Sequence, residues 1–432
     1  MNWEALYRNK VCAPAEAVQS IESGQRVFVS GNAAYPQALI NALMERAGVV
    51  TNVEILHLLS FGEAPYADPA LARHFRHNAM FIGANVRTAV QQGLADFTPI
   101  FLSEAARLFT SGQLTPDVAL IQLSPPDEHG FCSYGCEVAI SKAAAESARV
   151  VIAEVNRQMP RTLGDSFIHL SRLHRLVEVD RPLPQVRQGS FDEIQARIGQ
   201  NVAELVPQGA TLQLGIGAIP DAVLAALATH RDLGVHTEMF SDGIVDLVEQ
   251  GIISGATKTL HRGKIVAGFC FGTQKLYDFI ADNPIIEMHP TEYVNDPFVV
   301  AQNDAMIAIN SALQVDLTGQ VCADSLGTRF YSGVGGQVDF MRGASRSKGG
   351  KPIIALPATA KSGAISRIVP TLEPGAGVTT TRNDIHYVVT EYGVAYLHGK
   401  TIRERALALM KIAAPRFREE LLRFAREEHY VL

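Results

Sequence analysis

Two stretches of this chain repeat one another. Val27-Phe28-Val29-Ser30-Gly31-Asn32-Ala33-Ala34-Tyr35-Pro36-Gln37-Ala38-Leu39 aligns without a gap on Thr211-Leu212-Gln213-Leu214-Gly215-Ile216-Gly217-Ala218-Ile219-Pro220-Asp221-Ala222-Val223, 184 residues later. Each copy has an apolar run, a glycine exit and a proline opening a helical pattern, which is the grammar of a buried parallel strand feeding a helix. A helical pattern precedes each copy, over residues 14–22 and 194–205. A second correspondence, Val118-Ala119-Leu120-Ile121 leading to Asp127-Glu128-His129-Gly130, with Met306-Ile307-Ala308-Ile309 leading to Asp316-Leu317-Thr318-Gly319, follows at a separation of 188 to 189, the drift that a few loop insertions produce. The expected fold class is therefore α/β, built as two related open α/β/α domains with mostly parallel sheets. The proline-bearing stretch Arg181–Gln185 marks the join, so the domains are 1–185 and 186–432. A ligand site is expected beyond the carboxyl ends of the strands, in a cleft between the domains.

A chain of 432 residues has the length for two such cores. Its formal charge of −6 disfavours a polynucleotide partner, and no apolar run approaches the ~20 residues of a membrane span. The start of the chain carries no basic and apolar leader pattern, and its five scattered cysteines fit a reducing compartment, so a soluble cytoplasmic protein is expected. Cys132 and Cys136 have no second cysteine or histidine pair at zinc spacing, and no metal is expected.

Gly215-Ile216-Gly217-Ala218-Ile219-Pro220 begins like a dinucleotide fingerprint but has proline where the third glycine belongs. Its backbone N–H groups suit a phosphate or a developing oxyanion instead, although a plain strand-to-helix turn would look the same. A second glycine loop, Ser332-Gly333-Val334-Gly335-Gly336-Gln337, is followed by Arg342, Arg346, Lys348 and Lys351, and further on by Lys361 and Arg367. These cations suit phosphates or are ordinary solvated side chains. Glu238 in His236-Thr237-Glu238-Met239-Phe240-Ser241-Asp242-Gly243 precedes a helix that Ser241 or Asp242 would cap. A carboxylate there suits nucleophilic work, but the local pattern does not separate it from a solvated glutamate. His74 and His77 lack the spacing of a helical metal pair, and no Gly-x-Ser-x-Gly elbow occurs.

The three motifs taken together and in order, with Ser124-Pro125-Pro126-Asp127, Glu154-Val155-Asn156, Tyr293-Val294-Asn295-Asp296-Pro297 and Thr390-Glu391-Tyr392-Gly393, resemble the acetyl-CoA hydrolase/transferase family of class I CoA-transferases over nearly the whole chain. The branch that is most similar acts on 4-hydroxybutyrate or butyrate. The resemblance implies the isomerase-like CoA-transferase fold, and it places the catalytic glutamate on Glu238. It places CoA contacts on Gln213, Leu214, Gly215, Ile216, Gly217, Leu313, Gly335, Gly336 and Lys361. It implies coenzyme A as a substrate with no tightly bound cofactor, ping-pong exchange through a glutamyl-CoA thioester, and a homo-oligomer, either dimer or tetramer.

The implied donors are acetyl-, butyryl- or succinyl-CoA; the acceptors are short acids such as 4-hydroxybutyrate, butyrate, acetate or itaconate. The alternatives are an acyl-CoA hydrolase using the same glutamate, or an inactive CoA-binding regulatory protein. Ser30, Gly31 and Asn32, with Phe61 to Tyr66, are expected to wall the acid pocket, and Arg73, Arg76 or Arg87 to meet a second carboxylate. The repeat leaves one ambiguity. Aligning Ser60-Phe61-Gly62 with Ser241-Asp242-Gly243 sets His57 opposite Glu238, whereas the ungapped register sets Glu54 there.

Overall fold

Parallel strands buried on both faces read as continuous apolar runs, and Val118–Leu123, with every residue buried, is such a run. The computed structural model describes residues 3–187 and 189–432. By internal contacts the chain divides into two units, Met1–Arg187 with Val266–Val294, and Gln188–Ile265 with Asn295–Leu432. The cut after Arg187 lies two residues beyond the join read from the sequence, while residues 266–294 group with the first unit, an excursion that no composition shift announces.

In the first unit, β1 (Arg26–Val29), β2 (Val53–His57), β3 (Phe75–Ala79), β4 (Asp96–Phe97), β5 (Val118–Leu123), β6 (Val150–Asn156) and β7 (Arg175–Val179) form one sheet in the order β4-β3-β2-β1-β5-β6-β7. All its pairs are parallel. Val27, Val29, Ile55, Leu120, Ile152 and Val177 meet Leu39, Ile40 and Tyr66 in its core.

In the second unit, β8 (Thr211–Leu214), β9 (Gly234–Phe240), β10 (Met306–Asn310), β11 (Lys351–Ala355), β12 (Tyr387–Thr390) and β13 (Gly393–Tyr396) run in the order β9-β8-β10-β11-β12-β13. They are parallel except for β13. The order β2-β1-β5-β6-β7 of the first unit thus recurs as β9-β8-β10-β11-β12, with the switch point between the repeated strand and its downstream neighbour in each. This is the duplication legible in the sequence. The expected helix over 14–22 is shorter, α-helical only over Pro14–Ala17 before a 3-10 turn at Val18–Ser20. The helix at Glu193–Ala203 opens on a capping box between Asp192 and Gln195.

The core of the first unit contains an imidazole pair with a measurable consequence. His57 and His77 stack at 4.2 Å, and both are buried. The Leu58 carbonyl at Nδ1 of His57 fixes the tautomer, so Nε2 accepts from the Tyr66 hydroxyl at 2.7 Å. Burial lowers His57 to about 4 and, with the neighbouring His57, holds His77 well below the usual histidine range. The unfolded chain therefore binds protons that the folded one refuses, and stability present above pH 6.5 is lost as the pH falls toward 4. His57 alone accounts for roughly 3 kcal/mol at the acid end. Urea unfolding at pH 7 and pH 5 is expected to show the drop; equal stabilities would contradict it.

Candidate active site

The sheet register resolves the ambiguity left by the repeat, in favour of neither alignment. β1 pairs Val27 with Ile55, and β8 pairs Thr211 with Gly234, so once Val27 and Thr211 are matched, Ile55 corresponds to Gly234. Leu59 then stands opposite Glu238, and His57 opposite His236, because the connection from the repeated strand to the next differs in length between the copies.

The same comparison shows why only one copy presents an open glycine turn. In the first unit a Cβ on Gly31 would lie 2.2 Å from the Leu59 carbonyl oxygen, and Asn32 N–H donates to that oxygen at 2.7 Å. The start of the following helix is filled by the buried carboxylate of Glu154, which accepts from Leu39 N–H at 2.9 Å and from Arg181 Nη2 at 3.0 Å. In the second unit the register sets the apolar Ile354 in place of Glu154. A Cβ on Gly215 or Gly217 would meet nothing within 4 Å, and Ile216 is 41% exposed where its counterpart Asn32 is fully buried. Gly217 has φ +109 and ψ −179, a conformation open to glycine alone, and it starts the helix Ala218–Ala226 with Pro220 in its first turn. The apolar Ile354 does not fill the helix start as Glu154 does in the first copy, and an open helix start is chemically suited to an anion.

Glu238 lies on β9 and remains partly accessible. Its Oε2 accepts from Asn295 Nδ2 at 2.9 Å, and the Gly336 N–H donates to the same carboxyl. Gly336 sits at the N-terminal end of the ten-residue helix Gln337–Arg346, so this N–H is one of the unpaired amides that helix starts offer to anions. The approach is close: a Cβ on Gly336 would be 2.0 Å from Glu238 Oε2 and 2.2 Å from Asn295 Nδ2. Burial raises the Glu238 pKa to about 7 and the charge of nearby Asp339 adds to it, while Asn295 and the Gly336 N–H pull the other way. The result is a carboxyl group half ionised near neutrality and held by two donors.

The structure brings Gln213 to the strand adjoining β9, where its Oε1 accepts from Asn310 Nδ2 at 2.9 Å across the switch point between β8 and β10. Gly335, with φ +57, and Gly336 carry the second glycine loop to Glu238. Leu313 lies two residues beyond Ser311, whose carbonyl accepts from Gln337 at 2.9 Å. Lys361 is exposed in the loop of the hairpin formed by Thr359–Ala360 and Ile365–Ser366; Lys361 and Ser362 both adopt left-handed conformations, with φ 49 and 53. Arg416 lies beside the adjacent Gly363.

Much of the expected basic tract is engaged elsewhere. Arg342 pairs with Asp384 at 3.5 Å, and Arg346 lies over the Phe298 ring. Lys351 donates to the Leu205 carbonyl at 2.6 Å and Arg367 to that of Ala312 at 3.2 Å. Likewise Arg76 forms an ion pair with Asp96 rather than standing available for a carboxylate. Ser30 donates to the Ala34 carbonyl and accepts from Gln122 N–H, and Asn32 donates to Glu137. Ser241 holds the capping position of the helix Asp242–Glu249 but makes no side-chain cap. In the sequence Asn295 reads only as part of a family motif, and neither it nor Asp339 is assigned to the site, because residues 57 and 101 positions downstream of Glu238 give no local sign of contact with it.

The acetyl-CoA hydrolase/transferase N-terminal domain model matches residues 1–187, and the C-terminal domain model matches residues 272–425. The chain is 52% identical over 422 residues to the 4-hydroxybutyrate coenzyme A transferase of Clostridium kluyveri, covering 98% of each. It is 48% identical to the succinyl-CoA:acetate/propanoyl-CoA:succinate CoA transferase of Fasciola hepatica, covering 93% of this chain and 84% of the relative. The crystal structure of RipA from Yersinia pestis, at 38% identity, superimposes with a TM-score of 0.94 over the full length of both chains.

Proposed function

Because the chain belongs to the acetyl-CoA hydrolase/transferase family, we propose that it moves CoA between an acyl-CoA and a carboxylic acid, with Glu238 as the nucleophile. The observation that carries the assignment is the Glu238 carboxyl itself, one oxygen of which is held by Asn295 beside the Gly336 N–H.

In this reading Oε1 of Glu238 attacks the acyl-CoA carbonyl, the C–S bond breaks, and CoA leaves as thiolate from an acyl-glutamyl anhydride. The thiolate then attacks the glutamyl Cδ, and the donor acid departs as its carboxylate. During that attack negative charge builds on Oε2, which Asn295 Nδ2 already donates to, with the Gly336 N–H donating to the same carboxyl; a preorganised donor of this kind is typically worth about 3 kcal/mol. The acceptor carboxylate next attacks the glutamyl-CoA thioester, and the displaced thiolate takes the new acyl group from the second anhydride, restoring Glu238. The thioester bond energy is conserved throughout. Gln213 to Gly217, Leu313, Gly335, Gly336 and Lys361 are assigned to CoA, supported by the open turn at Gly215 and Gly217. Five free cysteines, four of them buried, support a reducing cytoplasmic setting.

Candidate donors are acetyl-, butyryl- and succinyl-CoA, and candidate acceptors are 4-hydroxybutyrate, butyrate, acetate and itaconate; of these, 4-hydroxybutyrate, succinyl-CoA and acetate occur in the names of the two relatives. Each donor is to be incubated with and without each acid. Transfer is expected to produce a new acyl-CoA only with a second acid; CoA release indifferent to added acid would overturn the transferase reading in favour of hydrolysis. The ionised nucleophile requires kcat/KM to rise with pH through about 7 and level off above it.

A further inference from the structure

We infer that the Thr237 hydroxyl is a positioning residue for the exchange reaction, splinting the two strands whose separation opens the site. The inference rests on Glu238 being the nucleophile.

β8 continues beside β10 through Leu214↔Ile309, but its pairing with β9 covers only Thr211↔Gly234 and Leu212↔Val235. Beyond Val235 the two strands are tied by a side chain. Thr237 Oγ1 lies 3.0 Å from the Leu214 carbonyl and 2.9 Å from the Met239 carbonyl, and it accepts from Leu214 N–H at 3.4 Å. One hydroxyl proton serves one carbonyl at a time, and both acceptors, on the residue before the glycine turn and the residue after Glu238, lie within its reach. Thr237 is 2% exposed and both Leu214 and Met239 are buried, so a carbonyl left without its donor there carries a desolvation cost.

The first unit supplies an internal control. The register sets Leu58, which has no polar side-chain atom, in place of Thr237. There the backbone itself closes the gap: Asn32 N–H donates to the Leu59 carbonyl, Asn32 bridges to Ser60, and Gly31 is packed against Leu59. The second unit lacks that contact at Gly215, and a hydroxyl stands in its place. A backbone ladder would hold the turn against the strand and cover Glu238. A threonine holds the strands at a fixed separation and leaves the turn raised. The same bond thereby locates the Gly215 turn and the peptide that carries Glu238 relative to one another, which a reaction sensitive to displacements near 1 Å requires.

The test compares Thr237→Val and Thr237→Ala, which lack the hydroxyl, with Thr237→Ser, which keeps it. The readout is the rate at which intact protein gains the mass of the glutamyl-CoA adduct on mixing with acetyl-CoA, together with the melting temperature. The hydroxyl-free variants that keep the wild-type circular dichroism spectrum are expected to form adduct 10- to 100-fold more slowly, whereas Thr237→Ser stays within about threefold. Adduct formation at the wild-type rate in Thr237→Val or Thr237→Ala would overturn the inference, and so would a Thr237→Ser variant as slow as they are. Glu238→Gln is the parallel control. If it still forms the adduct, the nucleophile assignment fails; if it does not while Thr237→Val is unimpaired, only the inference about Thr237 fails.

Discussion

Glu238→Gln is expected to lower CoA exchange about ten-thousandfold or more while leaving CoA binding measurable, because the amide keeps the shape of the site and removes the proposed nucleophile. The same substitution should stabilise the protein at alkaline pH. Folding raises the carboxyl from 4.5 to about 7, so the protonated form suits the folded state and the ionised form does not. Below pH 4.5 both states are protonated and the variant has no advantage. As the pH rises through 7 the native protein bears the cost of an ionised, desolvated carboxylate, up to about 3 kcal/mol, and the variant does not. Melting temperatures of the two proteins should therefore coincide at pH 4 and diverge by pH 8. A variant retaining a few per cent of activity, or a difference in melting temperature independent of pH, would contradict this account. A site that exchanges stability for a reactive group is a common arrangement.

Gly336→Ala is expected to reduce kcat/KM by two to four orders of magnitude with the fold intact. Its φ of −94 is one any residue adopts, so no backbone strain is involved. The effect comes from the methyl group, which would sit 2.0 Å from Glu238 Oε2 and 2.2 Å from Asn295 Nδ2 and must displace one of them. Loss of either donor removes stabilisation from the oxyanion, and movement of Glu238 removes the attack geometry. Gly335→Ala makes an informative contrast. At φ +57 it should cost about 1 kcal/mol of stability through left-handed strain, with a smaller effect on the rate. Circular dichroism and steady-state kinetics on both variants separate the two cases; a Gly336→Ala enzyme with native kcat/KM would show that the close approach does not matter.

The duplication was legible in the sequence because parallel strands, glycine exits and helix starts are local patterns, and two copies reinforce one another. The motifs around Gly215, Glu238 and Gly336 were legible for the same reason: each is a few consecutive residues whose types constrain the backbone. Glu238 alone was not distinguishable from other acids, since what sets it apart is burial and the donors at its carboxyl. Those come from Asn295 and Gly336, distant in sequence and brought together by the packing of β9 and the helix that begins at Gln337. Local charge also misled. Arg76, Arg342, Lys351 and Arg367 read as available cations until the fold gave each an internal partner.

What the sequence determined by itself was the repeat, the fold class and the three motifs that mark the family. Only the tertiary structure decided how the copies differ. The register between neighbouring strands is set by turn length and packing rather than by similarity, and it sets Leu59, not His57 or Glu54, opposite Glu238. The first copy closes its glycine turn with a backbone bond and fills its helix start with Glu154, whereas the second leaves both open and ties its strands through Thr237. A buried carbonyl must find a donor somewhere, and which donor it finds depends on distances that no run of residues along the chain encodes.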